Sequence, residues 1–203
     1  MMVSLMRKRS LGARSLLKDC HGVVAVEFAV IVPVMLLMFF GVVEFSSGVA
    51  VDRKVTMVAR TLSDLTSQST TVVDTDLTNF GQAAKAILTP YQASPLHSSI
   101  TEIYVDATTL VARVQWSRAL QIDTSGNVTF ATATHAPRDI VTNLPTALKV
   151  GGTYLIWSEV SYLYQPTIGY VMARAGVTLS DFTYTRPRQS SCVLYGTTVC
   201  TTL

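Results

Sequence analysis

The sequence has few of the residues from which enzymes and metalloproteins build their sites. Its 203 residues include only three histidines and three cysteines, and charged residues make up 14% of the total. It contains no phosphate-binding glycine loop, no His-Glu-x-x-His motif and no nucleophile elbow. His97 and His135 stand alone in polar stretches. These absences predict a protein that is not an enzyme and that uses no metal ion and no cofactor.

Positive charge is concentrated at the N-terminal end of the chain. The formal net charge is +3, and five of the sixteen basic residues precede Gly22, where Asp19 is the only acidic residue. Beyond Gly22 the chain is close to neutral, and its basic residues cluster only at Arg53–Lys54 and Arg186–Arg188. A nucleic-acid interface needs a patch or stripe of basic side chains. The sequence therefore argues against nucleic acid as a partner.

An apolar segment extends from Val23 to Val43, with Glu27 as its only charged residue. As a helix, these residues rise ~1.5 Å each and are long enough to cross the ~30 Å hydrocarbon core of a bilayer. The basic cluster lies directly before the segment, which by the positive-inside rule places residues 1–22 in the cytoplasm. The sequence predicts a single-pass membrane protein whose C-terminal part lies outside the cytoplasm.

A charge near the centre of a membrane helix costs ~2.5–3.5 kcal/mol, so the presence of Glu27 in this segment requires an explanation. Cleavage after Gly22 would create an amine on Val23, about one helical turn away, and that amine would be a partner for Glu27 in the same or a neighbouring subunit. A secretory signal peptide is disfavoured, since its apolar core is only ~7–15 residues long. A plain signal anchor, in which Glu27 has no role, stays open as the alternative.

The block Gly22–Pro33, continued by Phe40–Phe45, resembles the N-terminal segment of the TadE-like pseudopilins of the tight-adherence (Flp) pilus system. The resemblance implies cleavage by a membrane aspartyl prepilin peptidase between Gly22 and Val23, with Glu27 as the fifth residue of the mature chain. Val23 differs from the Phe or Met that is common at the first mature position of type IV pilins.

The same resemblance implies where the protein is and what it meets. The implied partners are the prepilin peptidase, other pilins and pseudopilins, the Tad inner-membrane assembly proteins and the membrane itself. The implied location is the inner (cytoplasmic) membrane, with the N-terminus in the cytoplasm and the C-terminal head in the periplasm or outside the cell. Incorporation into a pilus is part of this expectation.

After the membrane segment, residues 44–70 are expected to continue as an amphipathic stem helix. Apolar side chains recur there every three or four positions, at Val51, Val55, Val58, Leu62 and Leu65. We expect this stripe to dock against a globular head. A coiled-coil seam is the alternative. Such a seam needs an apolar pattern sustained over three or four heptads, and these five positions make up fewer heptads than that.

The chain is thus expected to divide into a leader (1–22), a transmembrane helix (23–43), a stem (44–70) and an extracytoplasmic head (71–203). In the head, one short helix is predicted before Pro90 and a second helical segment from Pro137 to Lys149. Alternating polar and apolar residues predict strands at 99–105, 110–118, 128–134, 154–164 and 177–184. The expected fold class is α+β, with a long N-terminal helix followed by short helices and an antiparallel sheet.

The cysteines fit this topology. Cys20 lies in the leader, whereas Cys192 and Cys200 lie close together on the far side of the membrane, where disulfides persist. We predict that Cys192 and Cys200 form a disulfide rather than two free thiols. A metal site is disfavoured, because no histidine or further cysteine stands near them at ligand spacing.

Two functions from different classes follow. The first is a TadE-like pseudopilin, a structural or assembly component of a type IVc (Flp/Tad) pilus that is matured by cleavage after Gly22. The alternative is a membrane-anchored periplasmic binding module with an uncleaved signal anchor. Looser motifs favour the first function, because they resemble the distal part of TadE- and TadG-like proteins: Leu144–Leu148, Gly151–Tyr154, Glu159–Pro166 and Arg186–Arg188.

Overall fold

The structure is a computed structural model that describes residues 22–94, 96–166 and 176–200. Residues 1–21 of the predicted leader, Cys20 among them, lie outside the described residues. The chain forms two compact units, one ending at Val43 and the other beginning at Glu44. The helices and strands, in chain order, are α1 (Val23–Ser67), β1 (Thr71–Val72), α2 (Asp74–Leu88), β2 (Leu96–Val105), β3 (Ala112–Ile122), β4 (Val128–Ala131), a 3₁₀ turn (Thr146–Leu148), β5 (Thr153–Tyr164), β6 (Val177–Thr185) and β7 (Leu194–Tyr195).

The second unit is built on a five-stranded antiparallel sheet with the strand order β4-β3-β2-β5-β6. β2 lies at the centre and pairs with β5 along its whole length, from Leu96 opposite Tyr162 to Val105 opposite Thr153. The pairing of β2 with β3 shifts register between Glu102 and Ile103. The predicted α+β class is confirmed, because the chain has a long apolar helix, a short helix and an antiparallel sheet.

The part of α1 that belongs to the second unit packs on one face of this sheet. The side chains of Val51, Val55, Val58 and Leu62 are fully buried, whereas that of Leu65 is half-buried. The buried four share one apolar core with α2 and with strands β2, β3 and β5. Full burial of each such side chain stabilises the fold by ~1.5–3 kcal/mol. The prediction that the stripe docks against the head is confirmed.

The short helix predicted before the proline of the α2–β2 connection is also confirmed, as α2. Its first turn is fixed by the Asp76 carboxylate, which accepts a hydrogen bond from the backbone N–H of Val73 at 3.1 Å. Its last turn is held by the stem, because Lys54 Nζ donates to the carbonyls of Ile87 and Thr89 at 2.6 and 2.8 Å. A lysine at this position satisfies carbonyls that have no partner inside the helix.

The predicted helix from Pro137 to Lys149 is wrong. The backbone there is mostly irregular, Ile140 pairs with Arg113 of β3, and the only helical residues are the three of the 3₁₀ turn. The backbone of residues 138–141 bonds to β3 instead, and Pro145 disfavours helical backbone at the residue before it. The apolar side chains of this segment instead cover the sheet face opposite the stem, namely Val141, Leu144 and Leu148.

The β2–β3 hairpin turns where the sequence predicts, but its second strand begins two residues later than expected. Leu110 has a φ of 56° and an exposed side chain, so β3 begins at Ala112. The turn is held by Asp106, whose Oδ1 accepts hydrogen bonds from the N–H groups of Thr108 and Thr109 at 2.9 and 2.6 Å. Such short-range bonds are the usual role of aspartate in turns.

A second, two-stranded sheet joins distant parts of the chain. β1 and β7 run parallel, with Thr71 opposite Leu194 and Val72 opposite Tyr195. The N–H of Gly196 also donates to the carbonyl of Val72 at 2.9 Å. The segment near the C-terminus is thereby fixed beside the end of the stem helix.

Candidate processing site and membrane anchor

The predicted cleavage position lies at the start of α1. Gly22 directly precedes the first helical residue, Val23, and both residues are exposed. No heavy atom lies within 4 Å of the point where a Cβ on Gly22 would be. Glycine adopts extended backbone conformations without steric cost. Within the described residues, the side of Gly22 on which a Cβ would lie is open.

Glu27 lies in the same helix, four residues after Val23, and is exposed. Residues four apart lie on one face of a helix and are separated by about 6 Å along its axis. The three predicted processing residues therefore form one continuous, exposed segment. Cys192 and Cys200 belong to the other unit.

The apolar part of α1 exposes side chains of a kind that proteins usually bury. None of its most apolar 18-residue window is buried within the chain, and Phe28, Leu37 and Met38 are each about two-thirds exposed. Pro33 lies inside the helix without ending it. A helix that is apolar all round is typical of a membrane span. In the part of the chain that the structure describes, α1 is the one helix long and apolar enough to cross a membrane.

The second unit carries the predicted cysteine pair near its C-terminal end. Cys192 and Cys200 are disulfide-bonded, with their Cα atoms 6.2 Å apart. Cys192 is buried, in contact with the packed rings of Tyr104 and Tyr154. The loop that the bond closes begins next to Val193, which is fully buried.

Both backbone polar groups of Val193, its N–H and its carbonyl, are hydrogen-bonded to side chains of the sheet. Its N–H donates to Glu102 Oε1 at 2.6 Å, and its carbonyl accepts a hydrogen bond from Trp116 Nε1 at 2.8 Å. Glu102 lies on the central strand β2 and is only 2% exposed. Burial raises the pKa of the Glu102 carboxyl to about 7, against the lowering effect of the hydrogen bond from Val193.

Glu102 is not among the residues predicted from the sequence, although a signal for it is present there. In the alternating pattern of β2, Glu102 stands two residues after Ile100, so both side chains point to the same face of the sheet. Ile100 is fully buried in the main core. A carboxylate on the buried face of a central strand requires a partner, which here is the backbone beside the disulfide.

Two histidines lie within the described residues. His97 is an exposed residue of β2. The sequence suggested that His135 is isolated, but the structure gives it two side-chain partners. His135 Nε2 lies 2.8 Å from Glu159 Oε2, and its ring stacks on Trp157 with centroids 4.5 Å apart. Among residues 22–94, 96–166 and 176–200, no group of three or more His, Cys, Asp or Glu side chains is arranged to hold a metal ion.

Comparison with known proteins finds a match in the N-terminal segment. The model of the family described as TadE-like protein matches residues 22–62, about a fifth of the chain. The matched segment begins at Gly22, contains Glu27 and the whole apolar run, and extends to Leu62 of the buried stripe. No curated protein and no solved structure matches the chain. The match supports, over residues 22–62, the resemblance to TadE-like proteins seen in the sequence.

Proposed function

We propose that the protein is a pseudopilin of a Tad pilus and that a prepilin peptidase matures it by cleavage between Gly22 and Val23. The TadE-like match suggests a component related to this type of pilus. The observation that carries the proposal is the exposed apolar helix that begins at Val23 and contains Glu27 as its only charge before Glu44.

Cleavage would allow this helix to pack against the same helix of neighbouring subunits. The cut removes the basic residues that precede Gly22 and creates a new amine on Val23. In the membrane, the Glu27 carboxylate would otherwise bear a cost of at most ~2.5–3.5 kcal/mol, the value at the centre of a membrane helix, and an ion pair with such an amine offsets this cost. The amine of a neighbouring subunit is a suitable partner, because Glu27 is exposed on the helix surface.

The proposal includes the location and the parts of the protein. Residues 1–22 are the cytoplasmic leader, residues 23–43 span the inner membrane, residues 44–70 form the stem, and residues 71–203 form a head in the periplasm or on the pilus. The basic residues before Gly22 favour this orientation. The proposed partners are the prepilin peptidase, other pilins and pseudopilins, and the Tad assembly proteins of the inner membrane.

The test is to express the full chain with and without a prepilin peptidase and to measure its intact mass and N-terminal sequence. We expect the peptidase to yield a chain that begins at Val23. Gly22→Val is the matched control, because a β-branched side chain at this position restricts the backbone and should prevent the cut. If the chain isolated from its native host retains the leader, the uncleaved binding module is the correct function instead.

A further inference from the structure

A groove of about 370 Å³ lies on the face of the five-stranded sheet that is opposite the stem. Its volume is within the range of small-molecule sites, ~300–1,000 Å³. One row of residues crosses all five strands at this level in exact register. From β4 to β6 the row is Ala131, Ala119, Ser99, Glu159 and Phe182.

The floor of the groove is made of small and polar side chains. The neighbouring row across the sheet contains His97, Ser161 and Ser180 on strands β2, β5 and β6. All three residues line the groove together with Ser99. Ser161 and Ser180 bring hydroxyl groups to the groove, whereas the Ser99 hydroxyl is buried 3.4 Å from that of Ser117.

One edge of the groove is the exposed aromatic ring of Phe182. Phe182 is 59% exposed and packs edge-on against Tyr184, with ring centroids 5.8 Å apart. Tyr184 stacks on Trp157 at 5.7 Å, and Trp157 stacks on His135. The chain of rings supports Phe182 from one side and leaves its remaining surface to solvent.

The groove has one carboxylate on its own face of the sheet. Glu159 bonds to His135 through one oxygen and keeps a side chain that is 34% exposed. Asp181 also borders the groove, but it pairs with Val160 of the main core and so belongs to the opposite face. No lysine or arginine is among the described residues that line the groove. Such a lining disfavours phosphates, sulfates and uronic acids, while a carboxylate and serines suit a ligand that carries many hydroxyl groups.

We propose that this groove binds a neutral carbohydrate. A pyranose ring has an apolar C–H face, which packs on the electron-rich face of an aromatic ring, and a rim of hydroxyl groups, which donate to carboxylates and exchange hydrogen bonds with serines. Phe182 supplies the stacking surface, Glu159 accepts hydrogen bonds, and Ser99 and Ser161 complete the polar floor. The inference goes beyond the proposed pilus function and does not depend on cleavage after Gly22.

The test uses the full chain in lipid nanodiscs, so that no detergent with a sugar headgroup competes for the groove. Maltotriose, cellotriose and chitotriose are the neutral probes, trigalacturonate is the acidic probe, and an uncharged Ser/Gly peptide represents an extended protein segment. Saturation-transfer NMR identifies the bound protons, and titration gives the Kd. We expect at least one neutral trisaccharide to bind with a Kd of about 1 mM or tighter.

Phe182→Ala should weaken that binding about tenfold or more. Phe45→Ala is the matched control, since it removes a phenyl ring of similar exposure that does not line the groove, and it should leave the Kd unchanged. Ser180→Leu should also abolish binding, because an exposed edge-strand position tolerates the larger side chain while that side chain fills the groove. Circular dichroism checks that each variant is folded.

Three results would overturn the proposal. They are no binding of any neutral probe at about 10 mM, equal affinity in the parent chain and in Phe182→Ala, and tighter binding of trigalacturonate or the peptide than of every neutral sugar. None of these results bears on the mass of the processed chain, so the carbohydrate site and the pseudopilin function fail separately.

Discussion

The buried carboxylate of Glu102 accepts a hydrogen bond from the backbone N–H of Val193, 91 residues away in the chain, at 2.6 Å. Val193 follows Cys192, so this bond joins the central strand of the sheet to the loop that the disulfide closes. The Trp116 indole holds the carbonyl of the same residue. Two contacts of different chemistry therefore fix the backbone on both sides of the Val193 Cα atom against the sheet.

Glu102→Ala should lower the free energy of unfolding by about 1–3 kcal/mol, because it leaves the buried N–H of Val193 without a partner. Chemical denaturation of the full chain in micelles, followed by tryptophan fluorescence, measures the change. Asp52→Ala removes an exposed carboxylate from the stem and should alter the same quantity by less than about 0.5 kcal/mol. Equal effects of the two substitutions would show that the contact between Glu102 and Val193 does not stabilise the fold.

Glu102 should also make stability depend on pH in a direction opposite to that of most carboxylates. Burial raises the pKa of its carboxyl from 4.5 to about 7, so the protonated form is favoured in the folded chain. The resulting stabilisation is complete below pH 4.5 and is lost as the pH rises through about 7. The shift corresponds to about 3 kcal/mol at most.

Glu102→Gln isolates this contribution, because the amide keeps an oxygen that accepts from Val193 but does not titrate. Between about pH 5 and about pH 8, the parent chain should lose stability relative to Glu102→Gln. Denaturation midpoints at both pH values give the difference. A parent chain that gains stability relative to the variant over this range would contradict the raised pKa of Glu102.

Removing the disulfide should destabilise the second unit by about 2–3 kcal/mol, the amount expected from the chain entropy of so short a closed loop. The double variant Cys192→Ser, Cys200→Ser tests this by denaturation. A thiol reductant should destabilise the parent chain by a similar amount and should leave the double variant unchanged. Cys20→Ser keeps both bonded cysteines and should behave as the parent does in these measurements.

Features that arise from neighbouring residues can be predicted from the sequence, whereas features that arise from contacts between distant residues cannot. The stem stripe repeats every three or four residues, so Val51, Val55, Val58 and Leu62 were identified as a buried face before any tertiary contact was known. The pairing of Thr71 with Leu194 was not predicted, because nothing in a two-residue strand indicates a partner more than a hundred residues later in the chain.

Two features were predicted wrongly or missed although a local signal was present. In the first, tertiary contacts outweighed the signal, and in the second, only tertiary contacts show what the signal means. Pro137 can begin a helix, yet the residues after it extend the edge of β3 through Ile140. Glu102 looked like one polar residue in an alternating strand, and its importance comes from Val193, which the fold brings to it. The groove beside Phe182 was likewise invisible, because its row of residues comes from five separate strands.

Leu62→Ala tests whether the stem is part of the head's core. Leu62 is fully buried among helix and sheet side chains, so its truncation should cost about 2–5 kcal/mol of unfolding free energy. Met57 lies on the same helix but is 56% exposed, and Met57→Ala should cost far less. Denaturation followed by the fluorescence of Trp116 and Trp157 reports on the core directly. Similar small effects for both variants would show that Leu62 contributes little to the stability of the core.

Glu27 provides the prediction that separates a fibre subunit from a simple anchor. Glu27→Gln removes the charge but leaves the helix and the Gly22–Val23 bond unchanged, so membrane insertion and cleavage should continue. Recovery of the chain in assembled complexes should fall at least about tenfold, because the amine of Val23 loses its ionic partner. Glu27→Asp keeps the carboxylate and should retain part of the assembly. Chemical cross-linking in native membranes, followed by mass spectrometry of the complexes, measures each variant. If Glu27→Gln assembles as well as the parent chain, the carboxylate has no role in subunit contact, and α1 is a tether.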